Sequence, residues 1–305
     1  MFGKAVVKDM INRSAENETD RRLFLKSAGV AGLGVVGAGA LGGLASAPAE
    51  AAGVSDGAVL NFALNLEYLE AEFYSYAFHG HGLPDSLTGG KGNKGGVTGG
   101  RQVNFQSKSI YNYAKEIAWD ELHHVKFLRT ALGGAKVSRP AIDLQNSFTA
   151  AATAAGLIQP GQTFDPFANE NNFLLAAFLF EDVGVTAYKG ASPLISNKTY
   201  LEAAAGILAV EAYHAGLIRS QLWDRGLQDA ARAISNARDS LDGKSNRDQG
   251  IGKADTANIQ PTDKNGIAFS RTPGQVLNVV YLNPKSVTKG GFFPKGVNGA
   301  VFQSA

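Results

Sequence analysis

Four stretches of the chain repeat their apolar residues at alternating steps of four and three, the period of one helix face. In residues 55–78 that face carries Leu60, Leu64, Glu67, Ala71, Tyr74 and Phe78. In residues 108–132 it carries Ala114, Ile117, Glu121, His124, Leu128 and Ala131. Residues 169–190 place Leu174, Phe178, Glu181, Val185 and Tyr188 on it, and residues 198–223 place Ala204, Ile207, Glu211, His214, Ile218 and Gln221. Ser55-Asp56 and Asn197 precede the first and fourth stretches as N-caps. The pattern predicts four helices and an all-α chain. Nine glycines between 80 and 100 predict a mobile surface excursion after the first helix. That loop lacks the spacing of a phosphate cradle. Residues 133–168 read as a long crossover, and a short third connection contains Pro193. Beyond Gly226 the chain turns polar, and 239–264 reads as loop. The apolar run Val276 to Leu282, with Pro273 ahead of it, predicts a short helix packing back on the other four. The expected division is 52–226 for the helical bundle and 227–305 for a loop-rich extension packed on it.

The first 51 residues follow a different pattern. A polar, mixed-charge start leads to Arg21-Arg22-Leu23-Phe24-Leu25-Lys26, then to a Gly/Ala-rich apolar run from Ala28 to Ala47, then to Ala47-Pro48-Ala49-Glu50-Ala51. Charged, apolar and small-residue regions in that order are a secretory signal. The paired arginines resemble the twin-arginine export signal. That resemblance implies use of the twin-arginine machinery, folding before export, and a periplasmic or secreted protein. The apolar run is too rich in glycine for a usual membrane-spanning helix.

Composition narrows the chemistry. A chain of 305 residues with 44% hydrophobic and 18% charged residues is globular and long enough for a sizeable core. A net charge of +2 argues against a nucleic-acid surface. With no cysteine, disulfides, thiolate zinc sites, cysteine-bound iron–sulfur clusters and a cysteine nucleophile are excluded. Five histidines remain, so a metal would be held mostly by carboxylates.

The helix faces carry such carboxylates. Glu121-Leu122-His123-His124 and Glu211-Ala212-Tyr213-His214 are both Glu-x-x-His, which puts carboxylate and imidazole on neighbouring turns of one face. Glu67 and Glu181 lie on the faces of the other two helices. Tyr74 and Tyr188 each follow those glutamates by seven residues, and Arg129 and Arg219 each follow Glu121 and Glu211 by eight. The first helix pair is thus a degenerate copy of the second. Four buried carboxylates repel one another and cost several kcal/mol each to desolvate. Two divalent cations would cancel their charge.

The order Glu, Glu-x-x-His, Glu, Glu-x-x-His resembles the ligand set of the ferritin-like di-iron and di-manganese carboxylate proteins. Leu64-Asn65-Leu66-Glu67-Tyr68-Leu69-Glu70-Ala71-Glu72-Phe73-Tyr74 and Ala268-Phe269-Ser270-Arg271-Thr272-Pro273 resemble its secreted, desiccation-related branch. The resemblance implies an antiparallel four-helix bundle with a long crossover, holding two divalent ions, Fe or Mn. Glu67 and Glu181 would be terminal ligands, Glu121 and Glu211 bridging ones, and His124 and His214 would cap one metal each. Tyr74 and Tyr188 would serve as redox or hydrogen-bonding groups. O₂ or peroxide would be the partner molecule, and ferrous iron oxidation or peroxide removal the reaction. The alternative is a stress-related envelope protein whose metal only ties the bundle together. The sequence leaves a homo-oligomer open. Among neighbouring residues, Glu70 flanks the site as a supporting group or alternative ligand, Glu72 reads as solvated, and Asp182, Asp120 and Glu116 read as surface or supporting charges. His123 reads as turned away from His124, and His79 and His81 as charges at a helix C-terminus.

Overall fold

The computed structural model describes residues 54–305. The export signal expected at 1–51 lies outside them. Four long helices form the framework: α1 (Asp56–His79), α2 (Lys108–Leu132), α4 (Glu170–Ala191) and α5 (Lys198–Asp224). Shorter helices are α3 (Asn146–Ala154), α6 (Gln228–Asp239) and α7 (Pro273–Val280). The main packing is α1 on α2 and α4 on α5, and the two pairs meet along α1 and α4.

Local chemistry sets the helix ends. Ser55 Oγ accepts from the Ala58 amide, and Asn197 Oδ1 accepts from the Thr199 and Tyr200 amides, satisfying donors that have no partner inside the helix. The Asp56 carboxylate reaches further and accepts from the Ser196 and Asn197 amides at 2.8 and 2.9 Å. It thereby fastens the start of α1 to the turn before α5. Thr272 and Gln275 form a reciprocal capping box at α7, with Pro273 at its first position.

Helices α1 and α4 are buried almost all round, whereas α2 and α5 keep an exposed outer face. The difference comes from what lies on top. The crossover, the extension and the Gly-rich loop cover α1 and α4. Phe292, fully buried, packs 4.9 Å from both Phe148 of α3 and Phe180 of α4, and Val276, Leu277 and Val279 of α7 are equally buried.

The Gly-rich segment is not the free excursion that its composition predicts. Val97–Thr98 (β1) pairs in parallel with Ile142–Asp143 (β2) of the crossover, and Lys91 bridges Val137. Its glycines serve close approach. A Cβ at Gly95 would lie 2.2 Å from the Ala141 amide nitrogen, so only glycine lets the two backbones pair. Arg129 of α2 holds the same loop through the carbonyls of Ser86 and Gly89. The polar stretch after Gly226 also carries a helix ahead of the expected loop. It begins with α6, whose Arg238 is buried in an ionic network with Asp182 and Asp248, while Arg271 binds Asp242 and Asp248. A short antiparallel pair, β3 (Gly252–Lys253) with β4 (Thr256–Ala257), follows.

Candidate metal centre

Each long helix delivers its polar face residues to one point at the middle of the bundle. Glu67 (α1), Glu121 (α2), Glu181 (α4) and Glu211 (α5) are all fully buried, and His124 and His214 nearly so. Ligand atoms of Glu67, Glu121, His124 and Glu211 lie within 4.8 Å of one another, as do those of Glu121, Glu181, Glu211 and His214. Glu121 and Glu211 belong to both groups. Both imidazoles turn Nδ1 inward. For His124 it lies 3.3 Å from Glu67 and 3.5 Å from Glu121 and Glu211; for His214 it lies 3.1 Å from Glu121 and 3.5 Å from Glu181.

The outer oxygens are accounted for. Tyr74 donates to Glu181 Oε1 and Tyr188 to Glu67 Oε1, so each tyrosine serves the glutamate of the opposite half. The inner atoms are not. Glu67 Oε2, Glu181 Oε2, both oxygens of Glu121 and Glu211, and Nδ1 of both histidines are buried without a hydrogen bond. Buried polar atoms in folded proteins are satisfied as a rule. Here the orphans comprise one oxygen from each outer glutamate, two from each shared glutamate and one nitrogen from each histidine. Divided between the two groups, that is four oxygen or nitrogen donors around each of two points, a set suited to divalent transition metals. The donor set fits a pair of cations.

Without cations the cluster must manage its charge with protons. Burial, chiefly, raises Glu67 to about 7, with Glu121 adding to the rise and His124 opposing it. Burial and neighbouring carboxylates push Glu211 and Glu181 up as well. Burial also acts to raise Glu121, but the imidazoles of His124 and His214 outweigh it and hold that carboxyl below its usual range. Both histidines are driven up by the surrounding glutamates against their own desolvation.

The neighbours sort differently from expectation at one place. Glu72, which the pattern reads as solvated, is fully buried; it pairs with Arg139 of the crossover and accepts from the Leu83 amide at 3.0 Å. Spacing along α1 carries no sign of this because Arg139 lies far along the chain. Glu70 is buried and makes no hydrogen bond or ion pair among the described residues. It borders a water-sized pocket lined by Leu69, Phe180, Val183 and Val279. Gly184 lies between that pocket and the cluster. A Cβ there would sit 2.4 Å from Glu211 Oε2 and 3.3 Å from Glu70 Oε1. Asp120 accepts from or faces His214 Nε2 at 3.1 Å, Asp182 is buried with Arg219, and Glu116 is exposed. His123 stacks on the exposed Trp119 at 3.8 Å, away from the cluster, and His79 and His81 are exposed.

Four helices with a buried carboxylate–histidine cluster define a bundle protein able to hold metal ions in its core. Residues 55–223 match the family profile of a ferritin-like domain, and the chain belongs to the ferritin-like family. It is 32% identical over 265 residues to the desiccation-related protein PCC13-62 of Craterostigma plantagineum, an alignment covering 80% of this chain and 83% of that one. It is 28% identical over 269 residues to the ferritin-like catalase Nec2 of Nesocodon mauritianus, with the same coverage of 80% and 83%. No solved structure matches the chain.

Proposed function

We propose that this is an exported di-metal carboxylate protein that removes peroxide, disproportionating it to water and O₂. The carrying observation is the set of orphaned donors, which is divided evenly between two points that share Glu121 and Glu211. Glu67, Glu121, Glu181, Glu211, His124 and His214 would hold two Fe or Mn ions. Such a pair would supply two-electron redox chemistry. A relative named as a catalase supports peroxide over the other small oxygen species. Ferrous iron oxidation draws on the same centre and is the second activity to assay.

The chain's own residues define the setting. Burial of all four glutamates excludes bulk water. Tyr74 and Tyr188 hold one oxygen of each outer carboxylate and leave the other free to point inward. The twin-arginine-like segment supports export, which would put the activity outside the cytoplasm. The name of the other relative supports a different reading, a desiccation-related protein in which the metal only braces the bundle.

The test is to purify the protein from its native compartment and measure metal content. Oxygen release from peroxide and oxygen uptake with ferrous iron are then assayed. Two ions per chain with oxygen release is the expected result. Two ions without turnover supports the bracing role. Unchanged metal content in Glu121→Ala plus Glu211→Ala would remove the site altogether.

A further inference from the structure

The two halves of the centre correspond residue for residue: Glu67 with Glu181, Glu121 with Glu211, His124 with His214, and Tyr74 with Tyr188. They differ behind the histidines. His214 points Nδ1 at Glu121 and Glu181 and presents Nε2 to Asp120 Oδ2 at 3.1 Å. His124 also points Nδ1 inward, but its Nε2 has no hydrogen-bond or ion-pair partner among the described residues. The sequence gives the reason. Asp120 precedes Glu121 on α2, whereas the residue that precedes Glu211 on α5 is Val210, whose side chain accepts nothing.

We infer that the two cation positions are unequal, and that the one bounded by Glu121, Glu181, Glu211 and His214 binds a divalent cation first and more tightly. The inference rests on the metal-binding reading above. Nδ1 can ligate only in the tautomer that carries its proton on Nε2. Asp120 stabilises that tautomer in His214, fixes the plane of the ring, and makes the nitrogen a stronger donor. The His124 ring has no carboxylate there and leaves that edge to solvent, so its tautomer and orientation are less firmly set before a cation arrives. Orientation is the larger part of the effect, because the Asp120 side chain is 24% exposed and its charge is screened. Loss of a carboxylate behind a ligating histidine generally costs about 10–100-fold in metal affinity, so the two positions should differ by about that factor. Asp120 is a positioning residue in this account and touches no cation.

The experiment titrates the metal-free, full-length mature protein with Mn²⁺, followed by calorimetry and by electron paramagnetic resonance. Stepwise filling gives two binding steps. One equivalent then yields the spectrum of an isolated Mn²⁺ ion, which the second equivalent suppresses as the ions couple through Glu121 and Glu211. Asp120→Ala should weaken the first step by about 10–100-fold and bring the two steps together. Asp120→Asn, which keeps an acceptor, should fall between. Asp120 is partly exposed at the bundle surface, so neither change threatens the fold. Two equal sites in the unaltered protein overturn the inference, as does a stepwise pattern that Asp120→Ala leaves intact. No binding of Mn²⁺ at all overturns the metal-binding reading and the inference with it.

Discussion

At the scale of single residues, the centre depends on one missing side chain as much as on the six that are present. Gly184 follows Glu181 by three positions, where a Cβ would collide with Glu211 Oε2 at 2.4 Å. Gly184→Ala should therefore displace a carboxylate that belongs to both cation groups. Because alanine is the better helix former, the fold should survive. The expected result is unchanged helical circular dichroism with metal affinity lowered at least about tenfold, checked by calorimetric titration. The tyrosines make the second case. Tyr188→Phe would leave Glu67 Oε1 buried and unpaired, which costs about 1–3 kcal/mol, and the loss should appear as a lowered midpoint in urea. The positions of Glu67, Glu121, Glu181 and Glu211 on the helix faces could be read from spacing alone. The pairing of each tyrosine with the glutamate of the opposite half could not, because it depends on how α1 and α4 meet.

At the scale of elements, the repeated arginines show how the halves were adapted to different coverings. Arg129 reaches from α2 to the hydroxyl of Tyr68, next to Glu67, and to the Gly-rich loop. Arg219 reaches from α5 to Asp182, next to Glu181, and to the carbonyls of Gln249, Gly250 and Asn258 in the extension. Each ties an external segment to the helix that carries an outer glutamate. Asp182 also binds Arg238, so Asp182→Ala leaves two buried guanidinium groups without that carboxylate. Breaking a buried pair from one side costs about 3–5 kcal/mol. The expected outcome is a destabilisation of that order by urea denaturation, with faster proteolysis in residues 245–265. These contacts explain why α3 and α6 escaped the sequence pattern, whereas α7 was announced by Pro273 and the apolar run after it. Helices α3 and α6 are short, and their burial comes from partners distant in the chain. Charged residues that composition assigns to solvent, such as Arg238, Asp248 and Arg271, are buried because they neutralise one another.

At the scale of the whole molecule, the buried cluster should link stability to pH and, on the proposed function, to metal. Glu67 titrates at about 7 in the folded protein against 4.5 for an ordinary glutamate. A pKa raised by folding contributes stability that is complete below the unfolded value and is lost as pH rises through the folded one. Glu211, Glu181, His124 and His214 are raised as well and act in the same direction. Glu121 is lowered, so its contribution is lost only when pH falls below the usual carboxylate range. The metal-free protein should therefore lose stability as pH rises from about 5 to about 8. Divalent cations should counter that loss. At a hundred times its Kd each cation adds about 2.7 kcal/mol, about 5–10 °C in Tm per filled position for a chain of this size. Calorimetric scans with and without metal should diverge as pH rises. A constant or narrowing gap would show that the carboxylates do not take up the cations.

The sequence is enough to read the four long helices, because a 3.6-residue period survives in any bundle that buries one face of each helix. It also determined which carboxylates and imidazoles lie on those faces, since spacing within a helix is fixed by its geometry. It could not place Glu72, Arg139, Asp120 or the Gly-rich segment. Those positions depend on contacts between residues far apart in the chain, such as Arg139 with Glu72 and Asp120 with His214. Tertiary structure alone decided that the external segments would be held tightly against α1 and α4. It decided, too, that Asp120, which α2 carries and α5 replaces with Val210, would meet His214 across the bundle. Both outcomes turn on packing between helices, which no periodicity along a single helix encodes.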